Sequence, residues 1–287
     1  MITNGHIFNK QRYLRAGDRL LSLDKPLIMG IINATPDSFY DGGMYQSPNL
    51  MRMKAARMLE DGADILDVGA CSTRPGSIEP DEATEKSRLD SALKEIRREF
   101  PDAVISVDTY RSAIAEWAVK EYGVQIINDV SGGNQDQAML ATIGRLRVSY
   151  VLMHMLGLPR TMQDNPVYRD IVNDISLFFA DRIKQLSELG TGDIIIDPGF
   201  GFGKTIDQNY NLLDRTAEFR MFDKPILIGL SRKSMIYNVL KSAPESSLNG
   251  TTVLNAVALL KGADILRVHD VKQASECIQL IDKIKLN

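Results

Sequence analysis

From Pro26 onward the chain alternates eight short apolar runs with longer amphipathic segments, and few folds accommodate that count. The runs cover 27–32, 65–68, 104–107, 124–127, 148–153, 194–196, 226–230 and 265–268, and isoleucine, valine and leucine dominate them. Their apolarity is nearly continuous, without polar alternation, so each run suits a strand buried on both faces of a parallel sheet covered by helices. Helical periodicity fills the gaps at 49–61, 82–100, 112–122, 136–145, 171–189, 208–220, 234–240 with 251–261, and 274–285. Gly62, Gly123 and Gly262 stand just before the following strands, where a helix stop is expected. Eight such units in about 260 residues have the size of a TIM (β/α)8 barrel. A doubly wound open sheet is the alternative. Residues 1–25 show no clear period and read as an N-terminal extension or hairpin, with a turn at Ala16-Gly17-Asp18; residues 26–287 form the single barrel domain.

A barrel of this kind carries its chemistry at the C-terminal ends of its strands. There the sequence places, in order, Asn33, Asp67, Asp108, Asn128 with Asp129, His154, Asp197, Ser231 with Arg232 and Lys233, and Arg267 with His269. The opposite ends carry ordinary residues such as Lys25, Asp64 and Ala103. One or two polar strand ends are expected simply as helix caps, and Asp67 and Asp129 are the plainest cases. His154 suits either a structural hydrogen bond or a substrate contact.

The sixth run ends in IIIDPGFGFGK at 194–204. Gly199, Gly201 and Gly203 leave the backbone without Cβ atoms, so a flat or anionic ligand could approach it closely. Gly203-Lys204-Thr205 matches the end of a Walker A loop, but Pro198 occupies the position where that motif needs its first glycine. The glycine spacing also misses the dinucleotide fingerprint. Lys204 could reach a phosphate or bond a neighbouring loop, and it receives no catalytic role.

Formal net charge is -3, which disfavours a general binder of nucleic acid or membrane surface without excluding a local anion site. Two cysteines, Cys71 and Cys277, cannot build a disulfide framework, and the start MITNGHIFNK lacks the regions of a signal peptide, so a cytoplasmic location is expected. His6, His154 and His269 are too scattered for a zinc site, and no apolar run approaches the roughly 20 residues of a membrane span.

Asp108, Asn128, Asp197 and Lys233 would place two carboxylates, an amide and an ammonium in one barrel mouth, where unpaired charge is costly. A flat heterocycle with amino and ring N–H donors on one edge and a carbonyl on another satisfies that set. Arg267, His269 and the Thr73-Arg74 pair form a second group suited to anionic oxygen, such as a diphosphate.

Eight segments carry a family resemblance: IMGIINATPDSFYDGG (28–43), STRPG (72–76), SVDT (106–109), IINDVSGG (126–133), MHMLGLPRTMQ (153–163), DPGFGFGK (197–204), SRKS (231–234) and RVHDV (267–271). In this order, and spread over residues 26–285, they resemble the dihydropteroate synthases. Each is weak alone, and the ordered set is specific. The resemblance implies a TIM barrel that transfers a dihydropterin from 6-hydroxymethyl-7,8-dihydropterin diphosphate to p-aminobenzoate, releasing pyrophosphate. It assigns Asp108, Asn128, Asp197 and Lys233 to the pterin, with Asp197 on the amino and ring N–H edge and Lys233 on the carbonyl. It assigns Asn33, Thr73, Arg74, Arg267 and His269 to the diphosphate, with Asn33 also meeting Mg2+. The p-aminobenzoate pocket would comprise Phe39, Pro75, Phe202 and Ser231, and Asp37 on the first loop would help to close it. Asp37, Arg74 and Lys233 are the implied catalytic residues. The family's habit further implies a homodimer formed through helices of the later barrel half.

The chain departs from the family pattern at Cys71, where glutamate is usual just before STRPG, at Ala70 for glycine and at Ala34 for valine. Cys71 reads either as a reactive thiol or, more simply, as a small substitute for a loop-positioning carboxylate. A pterin-binding methyltransferase of the same superfamily would share Asp108, Asn128 and Asp197, yet it has no need of STRPG, SRKS or RVHD. A pterin-binding partner protein without catalysis would share all of them.

Overall fold

A computed structural model describes residues 12–34, 48–70, 80–157 and 166–285. The chain opens with an antiparallel hairpin, β1 (Tyr13–Ala16) and β2 (Arg19–Ser22), and then enters β3 (Leu27–Asn33). Helices and strands alternate from there: α1 (Pro48–Glu60), β4 (Ile65–Gly69), α2 (Glu82–Glu99), β5 (Val104–Asp108), α3 (Ser112–Tyr122), β6 (Ile126–Asp129), α4 (Met139–Leu146) and β7 (Ser149–Met153). The second half continues with α5 (Ile171–Glu188), β8 (Ile194–Asp197), α6 (Ile206–Asp214), β9 (Leu227–Ile228), α7 (Ser234–Tyr237), α8 (Leu248–Leu260), β10 (Ile265–Val268) and α9 (Val271–Lys285).

The eight later strands form one parallel sheet in the order β8-β7-β6-β5-β4-β3-β10-β9. A parallel bridge between Ile196 and Ile226 joins its two ends, and Ile196 N–H donates to Pro225 O at 2.9 Å. The sheet is therefore a TIM-type barrel rather than the open alternative.

Side chains alternate across each strand, and this divides the apolar runs between two cores. Met29, Ile65, Val104, Ile126, Val151, Ile195, Leu227 and Ile265 point inward and form one cluster. Their chain neighbours, among them Ile28, Leu66, Ile105, Ile127, Ile194 and Leu266, belong to the larger cluster beneath the helices. The hairpin seals the lower end of the barrel: Leu14 and Ala16 join the inner cluster at 2% and 1% exposure. Arg12 grips Asp264 with two bonds, at 2.8 and 3.2 Å, and Ser149 Oγ donates to Arg15 O, which fixes the hairpin in place.

Register carries the same inward parity upward. Ile65 faces Val104, Asp67 faces Ser106, and Asp108 faces Asn128 across neighbouring strands. Above the apolar plug the interior thus changes to Asp67, Ser106, Asp108, Asn128, Asp197 and Arg267.

Local boundaries differ from the periodicity at several ends: α4 starts at Met139 rather than 136, α8 at Leu248 rather than 251, α7 stops at Tyr237 rather than 240, and β9 keeps only Leu227–Ile228 of the run 226–230. The expected helix 208–220 breaks after Asp214, where Thr216 Oγ1 bonds back to Leu212 O at 3.1 Å and the chain tightens into the 3-10 turn Thr216–Phe222. The last helix starts at Val271 instead of 274, directly after an aspartate that the barrel mouth holds in place.

Candidate active site

Arg267 is the centre of the barrel mouth. Its Nε donates to Asp67 Oδ2 at 2.7 Å, and its Nη2 donates to Asp108 Oδ2 at 2.6 Å. Asn128 Nδ2 donates to the same Asp67 oxygen at 3.0 Å. Asp67 is fully buried, so the reading of it as a helix cap is corrected. It lies on the inward face of β4, where a carboxylate has no helix end to serve and must be met by a cation. Its Oδ1 has no hydrogen-bond partner among the described residues. Asp129, one residue past Asn128, faces the other way. It takes Ser131 N–H at 2.7 Å, Gly133 N–H at 2.8 Å and Tyr150 O–H at 2.7 Å, and so shapes the loop after β6.

Burial pushes Asp108 up to about 7; Arg267 opposes this and the Asp67 carboxylate reinforces it. Burial likewise raises Asp197, against Lys233, Arg267 and Lys204. Asp197 Oδ1 accepts Gly199 N–H at 2.7 Å. Lys233 is partly accessible, yet loss of solvent around its Nζ pushes it down to about 8, with Asp197 resisting. Its ammonium donates to Phe200 O and lies 4.8 Å from the centre of the Phe202 ring. Phe202 also packs against an apolar cluster of Val130, Met153 and Met155, together with Tyr110. The mouth therefore joins a polar ring to an apolar cushion, a combination suited to the face and edges of a flat heterocycle.

The loops after β9 and β10 are tied together twice. Ser231 Oγ lies 3.0 Å from His269 Nδ1, and Arg232 holds Asp270 through Nε at 3.1 Å and Nη2 at 2.7 Å. Arg232 adopts φ 57°, which aims its side chain at Asp270 while its N–H meets Thr251 Oγ1 at 3.2 Å. Loss of solvent, together with Arg267 and Arg232, pushes His269 down to about 4, so its imidazole is neutral near pH 7. Asn33, at the end of β3, is half-buried at the rim.

The sequence groups of Asp108, Asn128, Asp197 and Lys233 on one side and Arg267 with His269 on the other thus meet through Arg267. Ser231, assigned to a separate pocket, is brought onto His269. Asp37, Phe39, Cys71, Thr73, Arg74 and Pro75 lie outside the described residues. Three contributors escaped the sequence reading as site residues: Asp67, the Arg232–Asp270 pair, and the Met153 cushion. Inward parity in the strand register is the signal that would have found Asp67.

The glycine loop also has a different explanation from close ligand approach. A Cβ on Gly199 would stand 1.9 Å from His154 O, and one on Gly203 would stand 2.4 Å from Leu156 O. These glycines let the loop lie flat on the protein's own backbone at the end of β7. Thr205 is the N-cap of α6 in a capping box with Gln208, which accounts for the Walker-like ending.

A closed parallel barrel whose mouth gathers carboxylates, an amide, a lysine and an arginine over an apolar cushion has the architecture of a barrel enzyme for a small polar ring. Residues 29–269 match the family described as pterin binding enzyme. The chain is 39% identical to dihydropteroate synthase of Escherichia coli K12 over 91% of this chain and 93% of that one. Identity to the Haemophilus influenzae dihydropteroate synthase is also 39%, over 93% of this chain and 97% of the relative. Among solved structures, the Yersinia pestis dihydropteroate synthase in complex with a sulfonamide drug superposes with TM-score 0.90 at 36% identity, covering 96% of this chain and 100% of that one. The Xanthomonas albilineans dihydropteroate synthase with 4-aminobenzoic acid gives TM-score 0.89 at 34% identity, covering 97% and 100%. The chain belongs to the dihydropteroate synthase family and is a transferase.

Proposed function

We propose that this chain makes 7,8-dihydropteroate from 6-hydroxymethyl-7,8-dihydropterin diphosphate and p-aminobenzoate, as a step of folate biosynthesis. The observation that carries this reading is the join at Arg267: one guanidinium bonds Asp67 and Asp108 at 2.7 and 2.6 Å, beside Asn128 and two residues before His269. It leaves further N–H groups for anionic oxygen where a ring held by Asp108, Asn128 and Asp197 would present its diphosphate. Asp197, with Oδ1 fixed by Gly199, offers Oδ2 to the amino and ring N–H edge, and Lys233 takes the carbonyl edge. Neutral His269 serves the diphosphate as a hydrogen-bond donor rather than as a charge. Phe202 and Ser231, with Phe39 and Pro75, complete the p-aminobenzoate side, and Asp37, Thr73 and Arg74 act from the first two loops.

The reaction needs no protein nucleophile. The exocyclic C–O bond breaks, pyrophosphate leaves with the electron pair, and the pterin ring delocalises the positive charge. The p-aminobenzoate amine then forms the C–N bond and loses a proton. Arg74, Arg267 and His269 stabilise the departing anion, and Asp37 steadies the cation or the amine. Continued absence of pyrophosphate release when p-aminobenzoate is omitted, measured at saturating pterin diphosphate, would overturn this ionisation-first order.

Mg2+ fits the site through Asn33. Asn33 is half-buried at the end of β3, and among the described residues no group of three or more His, Cys, Asp or Glu could hold a metal. A single oxygen ligand beside a diphosphate matches Mg2+, which keeps several waters and binds substrate phosphates. When bound it would neutralise charge on the leaving group.

We further infer a homodimer. α8 is apolar on nearly every side, and it exposes Val253 and Leu260 at 54% each, while α9 exposes Leu280 at 70% and Ile284 at 61%. Such adjoining apolar surface suits a second copy of the chain. Sedimentation of the wild type at twice the monomer mass, and of Leu260→Glu at one monomer mass, is expected; a wild-type monomer overturns the inference. A cytoplasmic setting agrees with the buried, unpaired Cys277. Among the described residues no helix is long and apolar enough to cross a membrane.

The test of the function is production of dihydropteroate by the purified chain with Mg2+ and both substrates. A methyltransferase or an inactive pterin binder would bind the pterin and form no dihydropteroate.

A further inference from the structure

Lys204 ends the glycine loop, and nothing in the chemistry above uses it. Its side chain is nonetheless buried, with 3% of the residue exposed. Nζ donates to Gly199 O at 2.8 Å and to Phe202 O at 3.0 Å, and lies 3.2 Å from His154 Nδ1. Burial pushes Lys204 down to about 7, with Asp197 opposing, so the ammonium prevails below that pH. Its three N–H groups then meet these three acceptors, with His154 O a further contact at 3.5 Å, provided that the His154 imidazole is neutral with its proton on Nε2. Burial and the neighbouring Lys204 hold His154 well below its usual value, which keeps it neutral. The ring is also fixed edge-on against Phe178, with centroids 5.2 Å apart.

The opposite face of this loop touches the site at three points. Gly199 N–H holds Asp197 Oδ1 at 2.7 Å, Phe200 O accepts Lys233, and the Phe202 ring sits 4.8 Å beneath the Lys233 ammonium. Each of these three residues is next to, or is itself, a carbonyl-bearing residue that Lys204 grips. The loop is also held at other points: Phe202 N–H donates to Gly199 O at 3.1 Å, Asn209 Oδ1 takes Gly201 N–H at 2.7 Å, and Tyr168 O–H donates to Gly203 O at 2.9 Å.

We propose that Lys204 is a positioning residue: its buried ammonium clamps the 199–203 loop onto the end of β7 through His154, and thereby sets the face of Phe202 that meets p-aminobenzoate. The proposal rests on the reading of Phe202 as part of that pocket. Asp197 is also anchored by its strand and Lys233 by the start of α7, whereas Phe202 lies in the loop itself, its ring on Val130, Met153 and Met155, so loss of the clamp falls on how that ring is seated.

The test pairs steady-state kinetics with 15N NMR of the His154 side chain. Lys204→Met should raise KM for p-aminobenzoate about tenfold, while kcat and KM for the pterin diphosphate change by less than about threefold. Lys204→Gln, which can still donate to two carbonyls, should recover part of the p-aminobenzoate KM, and it also serves if the methionine variant does not fold. In the wild type His154 Nδ1 should show the shift of an unprotonated, hydrogen-bonded nitrogen, and that shift should move in either variant. An unchanged p-aminobenzoate KM, an equal loss across all parameters, or a protonated Nδ1 in the wild type overturns the proposal. A folded wild type that forms no dihydropteroate contradicts the proposed function instead, and the NMR signature then still reports on the clamp.

Discussion

Arg267 and Asp67 meet inside the barrel at 2.7 Å, from the eighth and second barrel strands, with the aspartate fully shielded from water. The pair joins the floor of the site to its anionic side, because the same guanidinium reaches Asp108 and the same carboxylate oxygen takes Asn128. Asp67→Ala removes one of the two carboxylates that meet a largely buried cation and is expected to cost about 1–3 kcal/mol in urea unfolding, since Asp108 still pairs Arg267. Asp67→Asn should cost less in stability and should still raise KM for the pterin diphosphate, since Arg267 and Asn128 lose their shared anchor. Stability within about 0.5 kcal/mol of wild type for Asp67→Ala would contradict the role given to the pair.

Arg232 and Asp270 form a partly exposed bidentate pair, so their contribution to stability is small, about 0.5–1 kcal/mol. Their effect should fall on catalysis, because they tie the Lys233 loop to the His269 loop. Asp270→Asn is expected to raise KM for the pterin diphosphate about fivefold with Tm shifted by only a few degrees. A double-mutant cycle with Arg232→Met should show the two losses to be non-additive.

Lys233 is pushed down to about 8 from 10.5 by loss of solvent. Above pH 8 it sheds a proton; if Lys233 serves the pterin carbonyl as proposed, affinity for the pterin substrate should fall there. Lys233→Arg, which stays charged, should lack that bend whatever its absolute affinity. Stability runs the other way: between about 8 and 10.5 the unfolded chain holds a proton at this position that the folded chain has lost, so folding stability rises with pH across that window. Lys233→Met should flatten this part of a urea-midpoint profile.

His269 is pushed down to about 4. Its ring resonances should therefore show no titration between pH 5 and 8 in NMR, and protonation should begin only below that range. A titration midpoint near 6.5 would mean that His269 is solvated and that its charge is available to the diphosphate.

The barrel was legible because buried parallel strands are written as unbroken Ile/Val/Leu runs, and the polar strand ends stood out against the plain opposite ends. Asp67 does not stand apart from a helix cap in the sequence, because one residue of register decides between the interior and the helix side, and a lone sequence marks both as a polar residue after Leu66. The glycine loop misled for a related reason. Its need for bare backbone is real, but the close neighbours are His154 O and Leu156 O, which lie about forty-five residues away in the chain. Contacts of that range, such as Ser231 to His269 and Lys204 to His154, follow from barrel closure and not from any local pattern. α9 starts directly after Asp270, a residue that Arg232 holds from another loop.

The central claim is that this mouth transfers a dihydropterin to an arylamine. Its most direct measurement is a time course with purified chain, Mg2+, 6-hydroxymethyl-7,8-dihydropterin diphosphate and p-aminobenzoate, following both products. One dihydropteroate should form for each pyrophosphate released, and Asp197→Asn should slow both together by at least about a hundredfold. A folded wild-type protein that forms no dihydropteroate at saturating substrates, or an Asp197→Asn variant that matches wild type, would contradict it.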